Sequence, residues 1–491
     1  MKVYFLGIAG AGVSALASVL VSRGAEVTGS DEGVYPPVST YLDRLGVTAH
    51  IYRVGTFKSA VEPYLRTDQS PEAEEAAKAY AGVLWDQWNA QVKRARPAAQ
   101  LDSYIADPVA ALRTNGNDYA RTAQAMHLID KIGSRIDFDK RIAEIAGNSD
   151  TTRPWEYNRI RLTDWLEANP AEEKGTPIAV VPLVGDIVDG PSVDGSAGGD
   201  TIAEHILDAV ADKNVKALVL RVDSPGGSVL ASEQIRDALL QAKARKLPIV
   251  ISMANLAASG GYWVSTPGDR IIAEPDTITG SIGVFAVLPS FENALGKIGV
   301  NADGITTTPL SGQPDVFGGT NTQFDTIAQA GVEDIYAKFT GLVAASRRLP
   351  IERVREIAEG RVWAGGTARQ LGLVDKFGGL DVALAEAATL AKLDPKDVYP
   401  RYFEEQPSEF AKAIAALSED DEEGAGAAPS GLFARMAWMR QAWVVQMIGD
   451  VRRLSGISGI EATCLECRGF VAPRPASDAD KSMLMRLLIG G

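Results

Sequence analysis

The sequence predicts an α/β fold of two related units, the first shortened at its start and preceded by a separate strand–helix–strand fragment. Three observations carry this. Apolar strands and helices alternate through glycine turns between Ala217 and Ser281, one stretch of sequence recurs in both halves, and a glycine-rich loop follows the first apolar run. At 491 residues the chain exceeds what one compact core organises, so more than one globular unit is expected. With 46% hydrophobic and 23% charged residues it has the composition of a folding chain rather than a disordered one.

The N-terminal run Val3 to Val21 has the length of a signal peptide or anchor, but it is rich in Gly, Ala and Ser. It reads better as strand Val3–Leu6, glycine loop Gly7–Gly12, helix Val13–Ser22 and a second strand Glu26–Gly29 leading to Asp31. The repeat pairs Leu128–Gly133 and the helix from Asp137 to Ala146 with Leu373–Gly378 and the helix from Asp381 to Ala391. The second copy opens at strand Ile178–Val184, and its segment Thr306–Leu310 matches Val54–Lys58 of the first. Only 57 residues precede Lys58, so the first copy lacks most of its opening half. These matches divide the chain into a fragment over 1–44, a truncated first unit over 45–165, a polar linker over 166–176, a second unit over 177–400 and a tail over 401–491. The tail holds an acidic, small-residue connection from Ser418 to Ser430 and an aromatic, amphipathic stretch from Leu432 to Ile448.

A net charge of −14 without a Lys/Arg cluster excludes the basic face that a nucleic-acid backbone requires. The only cysteines, Cys464 and Cys467, form one CxxC, and the histidines His50, His127 and His205 all lie far upstream. No zinc tetrad is available from that set, and no cofactor is implied. The pair fits a local disulfide, a thiol pair or no special role, the last being the commoner case.

Chemistry concentrates between Ala217 and Ser281. Strand Ala217–Val222 enters Asp223-Ser-Pro-Gly-Gly-Ser228, a turn whose backbone N–H groups suit an oxyanion; helix Ser232–Lys243 and strand Pro248–Met253 follow. That strand enters Ala257-Ala-Ser-Gly-Gly-Tyr-Trp263, which sets Ser259 at a strand-to-helix turn, exposed and facing a helix N-terminus. Taken alone, Ser259 reads better as a helix cap. Two such turns at one edge of a parallel sheet favour a site instead. No histidine follows Ser259, and His205 suits a satisfied structural role on its helix. A lysine serves as base where burial disfavours its ammonium form. Lys58 is a candidate, lying between strand His50–Val54 and Ala60-Val61, although most lysines in such positions are surface residues.

With these residues in place, the chain from about Leu45 onward resembles the long, two-repeat signal peptide peptidase (protease IV) family. The matching pieces are Arg53-Val-Gly-Thr-Phe-Lys-Ser-Ala-Val-Glu-Pro63, Asp223–Ser228, Ala258-Ser-Gly-Gly-Tyr-Trp263, Thr279-Gly-Ser-Ile-Gly283 and Gly360-Arg-Val-Trp363. The resemblance implies two Clp-protease/crotonase-like repeats and a serine endopeptidase cleaving hydrophobic peptides such as released signal peptides. It implies Ser259 as nucleophile, Lys58 as base, Ser281 as the hydroxyl orienting the amine, and Gly227 with Gly260 as oxyanion donors. Leu310 stands where the second repeat would carry a lysine, which implies that one repeat supplies the base and the other the nucleophile. A homotetramer at the periplasmic face of the inner membrane is also implied, with the family's anchor helix replaced here.

The replacing segment resembles the start of the muramate peptide ligases, through Gly7-Ile-Ala-Gly-Ala-Gly12, Thr28-Gly-Ser-Asp31 and Val34–Ser39. That likeness implies a Rossmann-like β-α-β fragment and a UDP-sugar site using Gly10, Gly12 and Asp31. Ligase activity is excluded, because no G-x-x-x-x-G-K-[ST] loop is present to hold ATP. Three functions therefore stand in order: Ser/Lys endopeptidase, inactive peptidase-like scaffold, and nucleotide-sugar binding module.

Overall fold

A computed structural model describes residues 2–6, 26–30, 45–404 apart from 67, 151, 171 and 194, and 459–464 with 467. Its strands are, in chain order, β1 (Lys2–Leu6), β2 (Glu26–Ser30), β3 (Thr48–Val54), β4 (Thr176–Val184), β5 (Asp186–Val188), β6 (Ser196–Gly198), β7 (Leu218–Ser224) and β8 (Gly226–Ser228). They continue with β9 (Ile249–Ala258), β10 (Arg270–Ala273), β11 (Ile278–Gly280), β12 (Val284–Ser290), β13 (Val362–Ala364), β14 (Lys376–Phe377), β15 (Val398–Tyr402) and β16 (Glu461–Thr463). Two compact units emerge, one of residues 1–80 with 176–491 and one of residues 81–175. Lys58 thus belongs to the same unit as Ser259, and the second boundary falls where the polar linker ends.

The larger unit is built on a sheet ordered β13-β11-β9-β7-β4-β15, with β10 and β14 joined beside β9. All its pairings are parallel except β11 with β13. Parallel strands are covered on both faces, which is why they read as unbroken apolar runs. The period-two alternation of a strand then sorts the side chains. Ala179, Val181, Leu183, Leu218, Leu220, Ile249 and Ile251 enter one core, which also contains Ile206, Ile235, Leu239 and Phe339 from helices Gly199–Ala211, Val229–Ala244 and Thr322–Arg347. Ile178, Val180, Ala217, Val219 and Val250 enter a second core with Ala383 and Ala387 of helix Leu380–Leu390. The observed strands β7 and β9 begin one residue later than expected and run on to Ser224 and Ala258, and the helix expected at Ser232–Lys243 spans Val229–Ala244.

A second sheet, ordered β3-β12-β16-β8-β5-β6, carries the elements around Ser259 and Lys58. β1 and β2 pair in parallel as a separate two-stranded sheet, at the positions expected for the strands of a β-α-β fragment. The expected glycine loop and helix between them, Gly10, Gly12 and Asp31 included, lie outside the described residues. So do the stretches Ser418–Ser430 and Leu432–Ile448.

The internal repeat recurs as a hydrogen-bonding device within each unit. In the smaller unit helix Tyr119–Ala125 ends at His127, which has φ 58°, and Leu128 N–H returns to the Ala123 carbonyl at 2.8 Å. Arg96 donates from Nε to the His127 carbonyl at 3.2 Å and pairs with Asp130 at 2.6 Å. In the larger unit helix Gly365–Gln370 ends at Gly372, φ 83°, and Leu373 N–H returns to Ala368 at 2.8 Å. There Arg347 donates to the Gly372 carbonyl at 2.8 Å and pairs with Asp375. The segment Thr306–Leu310 differs from its match in burial: Leu310 is exposed where Lys58 is fully buried. The smaller unit buries few side chains, among them Leu101, Thr122 and Ala143, and leaves Trp85, Trp88, Phe138 and Trp165 largely exposed.

Leu220 is fully buried in the middle of β7. Leu220→Ala removes its methyls and leaves a cavity, so urea unfolding should show a loss of about 2–5 kcal/mol.

Candidate active site

β9 ends at Ser259, where φ is 56° and ψ −113°, and helix Gly260–Trp263 begins at the next residue. A residue with a β-carbon in this region stores about 1–3 kcal/mol of strain, so it persists only where neighbours over-determine it. They do here. Ser259 N–H donates to the Gly280 carbonyl at 2.8 Å, and its own carbonyl accepts from the N–H groups of Tyr262 and Trp263, both at 2.9 Å. Tyr262 anchors the short helix by donating its hydroxyl to the Leu373 carbonyl at 2.8 Å, and burial pushes its phenol pKa up. The Ser259 side chain makes no capping bond, which removes the helix-cap reading.

Lys58 reaches this point through strand register. β3 and β12 run antiparallel with Val54 opposite Val284, so continuing β3 toward Lys58 leads back toward Gly280 and Ser281. Lys58 is fully buried, which excludes the surface-lysine reading. Its Nζ lies 3.0 Å from Ser259 Oγ, 3.0 Å from Ser281 Oγ and 3.3 Å from the Ser281 carbonyl. Ser259 Oγ also has the Gly283 carbonyl within 3.4 Å. Ser281 repeats the backbone device of Ser259: its φ is 50°, and its N–H is fixed on the Arg361 carbonyl at 2.7 Å. Withdrawing an ammonium from water favours the neutral amine, the form able to take a hydroxyl proton.

The glycine turn lies beside this cluster. A Cβ on Gly226, φ 93°, would stand 2.5 Å from Gly260 N, so this close approach of backbones requires glycine. Gly227 is paired with Ile187 of β5 and Ala462 of β16. Asp223, at the head of the turn, accepts the Leu256 N–H at 3.1 Å, and burial raises its carboxyl pKa.

Two expectations are corrected. Ser259 is buried rather than exposed, because the Lys58 segment meets its hydroxyl and β16 packs over the glycines beside it. His205 is not fully satisfied: its Nδ1 has no hydrogen-bond partner among the described residues. His50 joins Ser290 at 2.8 Å and Thr320 at 3.0 Å, so its role is packing of β3 rather than work at Ser259. Cys464 and Cys467 form a disulfide, resolving the three readings of the CxxC.

The sequence model of peptidase family S49 matches residues 241–394, which include Ser259 and Ser281. A protein of Synechocystis sp. named as a protease is 40% identical over 192 residues, 39% of this chain and 69% of its own length. The chain belongs to peptidase family S49. Protease 4 of Salmonella typhi is 42% identical to this S49 chain over 371 residues, 75% of the chain and 59% of the relative. Protease 4 of Haemophilus influenzae is 40% identical over 74% of the chain, again 59% of the relative. The chain thus spans about three-fifths of the length of these relatives. The Mur ligase family model, described as its catalytic domain, matches residues 2–84.

The local sequence of Gly360-Arg-Val-Trp363 assigns this motif no task. In this S49 chain Gly360, φ 77°, lies where a Cβ would come within 2.7 Å of the Lys58 backbone N and Cβ. The preceding Glu359 receives Phe57 N–H on its carbonyl at 2.8 Å and Thr56 N–H on its carboxylate at 2.9 Å. Arg361 lies 4.8 Å over the Phe57 ring and 4.4 Å over Trp363, and pairs with Glu75 at 2.9 Å. The motif is the seat of the lysine segment, a role legible only from a pairing some three hundred residues apart. Gly360→Val demands a strained backbone and displaces Lys58, so it should lower the thermal midpoint by several degrees, equivalent to about 1–3 kcal/mol.

Proposed function

We propose that the chain is a serine endopeptidase using Ser259 and Lys58, acting on extended hydrophobic peptides such as released signal peptides. The observation that carries this is the buried triangle of Lys58 Nζ with the hydroxyls of Ser259 and Ser281, each 3.0 Å away, on two serines held at positive φ. Lys58 as neutral amine takes the Ser259 proton while Oγ attacks the scissile carbonyl. The developing oxyanion meets the amides of Gly227 and Gly260, and the leaving amine receives the proton from Lys58. Water, activated by the same amine, then releases the acyl group. Ser281 keeps Nζ aimed at Oγ.

Assembly as a homotetramer at the periplasmic face of the inner membrane belongs to the same reading. The exposed Trp85, Trp88 and Trp165 of the smaller unit support a buried contact in an assembly. Among the described residues no helix is long and apolar enough to cross a membrane.

Prolonged incubation with a fluorophosphonate, followed by intact mass spectrometry, tests the reading. The native chain should gain one adduct at Ser259, absent in Ser259→Ala and slowed about 10²–10⁴-fold in Lys58→Ala, as for loss of a general base. A folded native chain that takes no adduct would instead support the inactive-scaffold reading.

A further inference from the structure

β16 occupies an unusual place in the second sheet. It comes from beyond residue 458, yet lies between β12, which leaves the Ser281–Gly283 turn, and β8, the glycine turn itself. Glu461 pairs antiparallel with Phe285 on one side, and Glu461, Ala462 and Thr463 pair antiparallel with Ser228, Gly227 and Gly226 on the other. Val229 N–H donates to the Ile460 carbonyl at 3.2 Å, and Cys464 N–H to the Pro225 carbonyl at 2.8 Å. Without these residues β8 and β12 would present facing open edges across a slot one strand wide beside Ser259. Such edges are templates for an added extended peptide.

The fit is closest at the reacting end. The Ala462 carbonyl oxygen lies 2.1 Å from where a Gly226 Cβ would stand and 3.0 Å from a Gly260 Cβ, against one glycine of the Asp223–Ser228 turn and the glycine that follows Ser259. Ala462, Thr463 and Cys464 are fully buried. The Cys464–Cys467 disulfide closes the chain into a short loop directly after the strand.

We propose that residues 460–464 are a built-in peptide ligand, a strand of the chain itself seated in the groove that receives the substrate peptide. The segment and a substrate compete for the same edges of β8 and β12, so the resting enzyme is held back until the strand leaves. It also indicates the binding mode: an extended peptide, antiparallel to both neighbours, with a small side chain where Ala462 stands. This inference rests on the peptidase reading.

The test follows the rate of fluorophosphonate labelling at Ser259 in the full-length chain and in Ala462→Pro, which removes a strand N–H and disfavours pairing in a central strand. Labelling should be about tenfold faster in the variant, the effect of losing one or two net hydrogen bonds. A synthetic peptide of residues 459–464 carrying Cys464→Ser should slow the variant back toward the native rate. Equal or slower labelling in a folded variant, with no effect of the peptide, overturns the inference while leaving the peptidase reading intact. Absence of labelling in every form removes both. If Ala462→Pro fails to fold, hydrogen exchange on the native chain replaces it. A saturating apolar peptide should then speed exchange at 460–464 while protecting 226–228 and 284–287, and unchanged exchange at 460–464 overturns the proposal.

Discussion

The antiparallel pairing of β3 with β12 is the constraint on which the site depends. Seven residue pairs fix its register, and because side chains alternate faces along a strand, a slip of one residue would turn the whole set over. The register sends the chain past Val54 toward the Ser281 turn, and there Lys58 enters a space bounded by Ser259, Ser281 and Gly283. The glycine at 360 leaves room for its backbone, and the Glu359 carbonyl and carboxylate hold the residues just before it. A long, flexible lysine is thereby held in one place, with its conformational entropy lost during folding.

The two serines depend on a different part of the architecture. Both sit at positive φ, Ser259 after β9 and Ser281 after β11, and those neighbouring parallel strands set them side by side. The strain of each is carried by backbone hydrogen bonds into the well-packed sheet, whose two cores are formed by alternate residues of the same strands. The groove beside them is shaped by glycines for the opposite reason: Gly226 and Gly260 admit backbones closer than any side chain allows. The same closeness allows a peptide carbonyl, here that of Ala462, to rest between them.

Much of this was legible along the chain. Unbroken apolar runs marked the parallel strands, the glycine turns marked the ends where chemistry collects, and the repeat aligned Leu128–Gly133 with Leu373–Gly378, while the arginines that pair with Asp130 and Asp375 in the two copies came only with the structure. Strand-to-helix turns are ordinarily open, which suggests an exposed Ser259, whereas here a distant segment covers the turn. The seating role of Glu359, Gly360 and Arg361 carried no local signal, since each acts on a residue remote in sequence.

The sequence by itself determined the element types, the covered parallel sheet and the residues with suitable chemistry, because periodicity, turn residues and functional groups are local properties. Tertiary structure alone decided that Lys58 and Ser259, 201 residues apart, stand within 3.0 Å, that the Ser259 hydroxyl accepts from Lys58 rather than capping the helix, and that Glu461–Thr463 lie between β8 and β12. Those outcomes depend on which strand edges meet and in what register. Such pairing energies are summed over the assembled sheet and are written in no single stretch of chain.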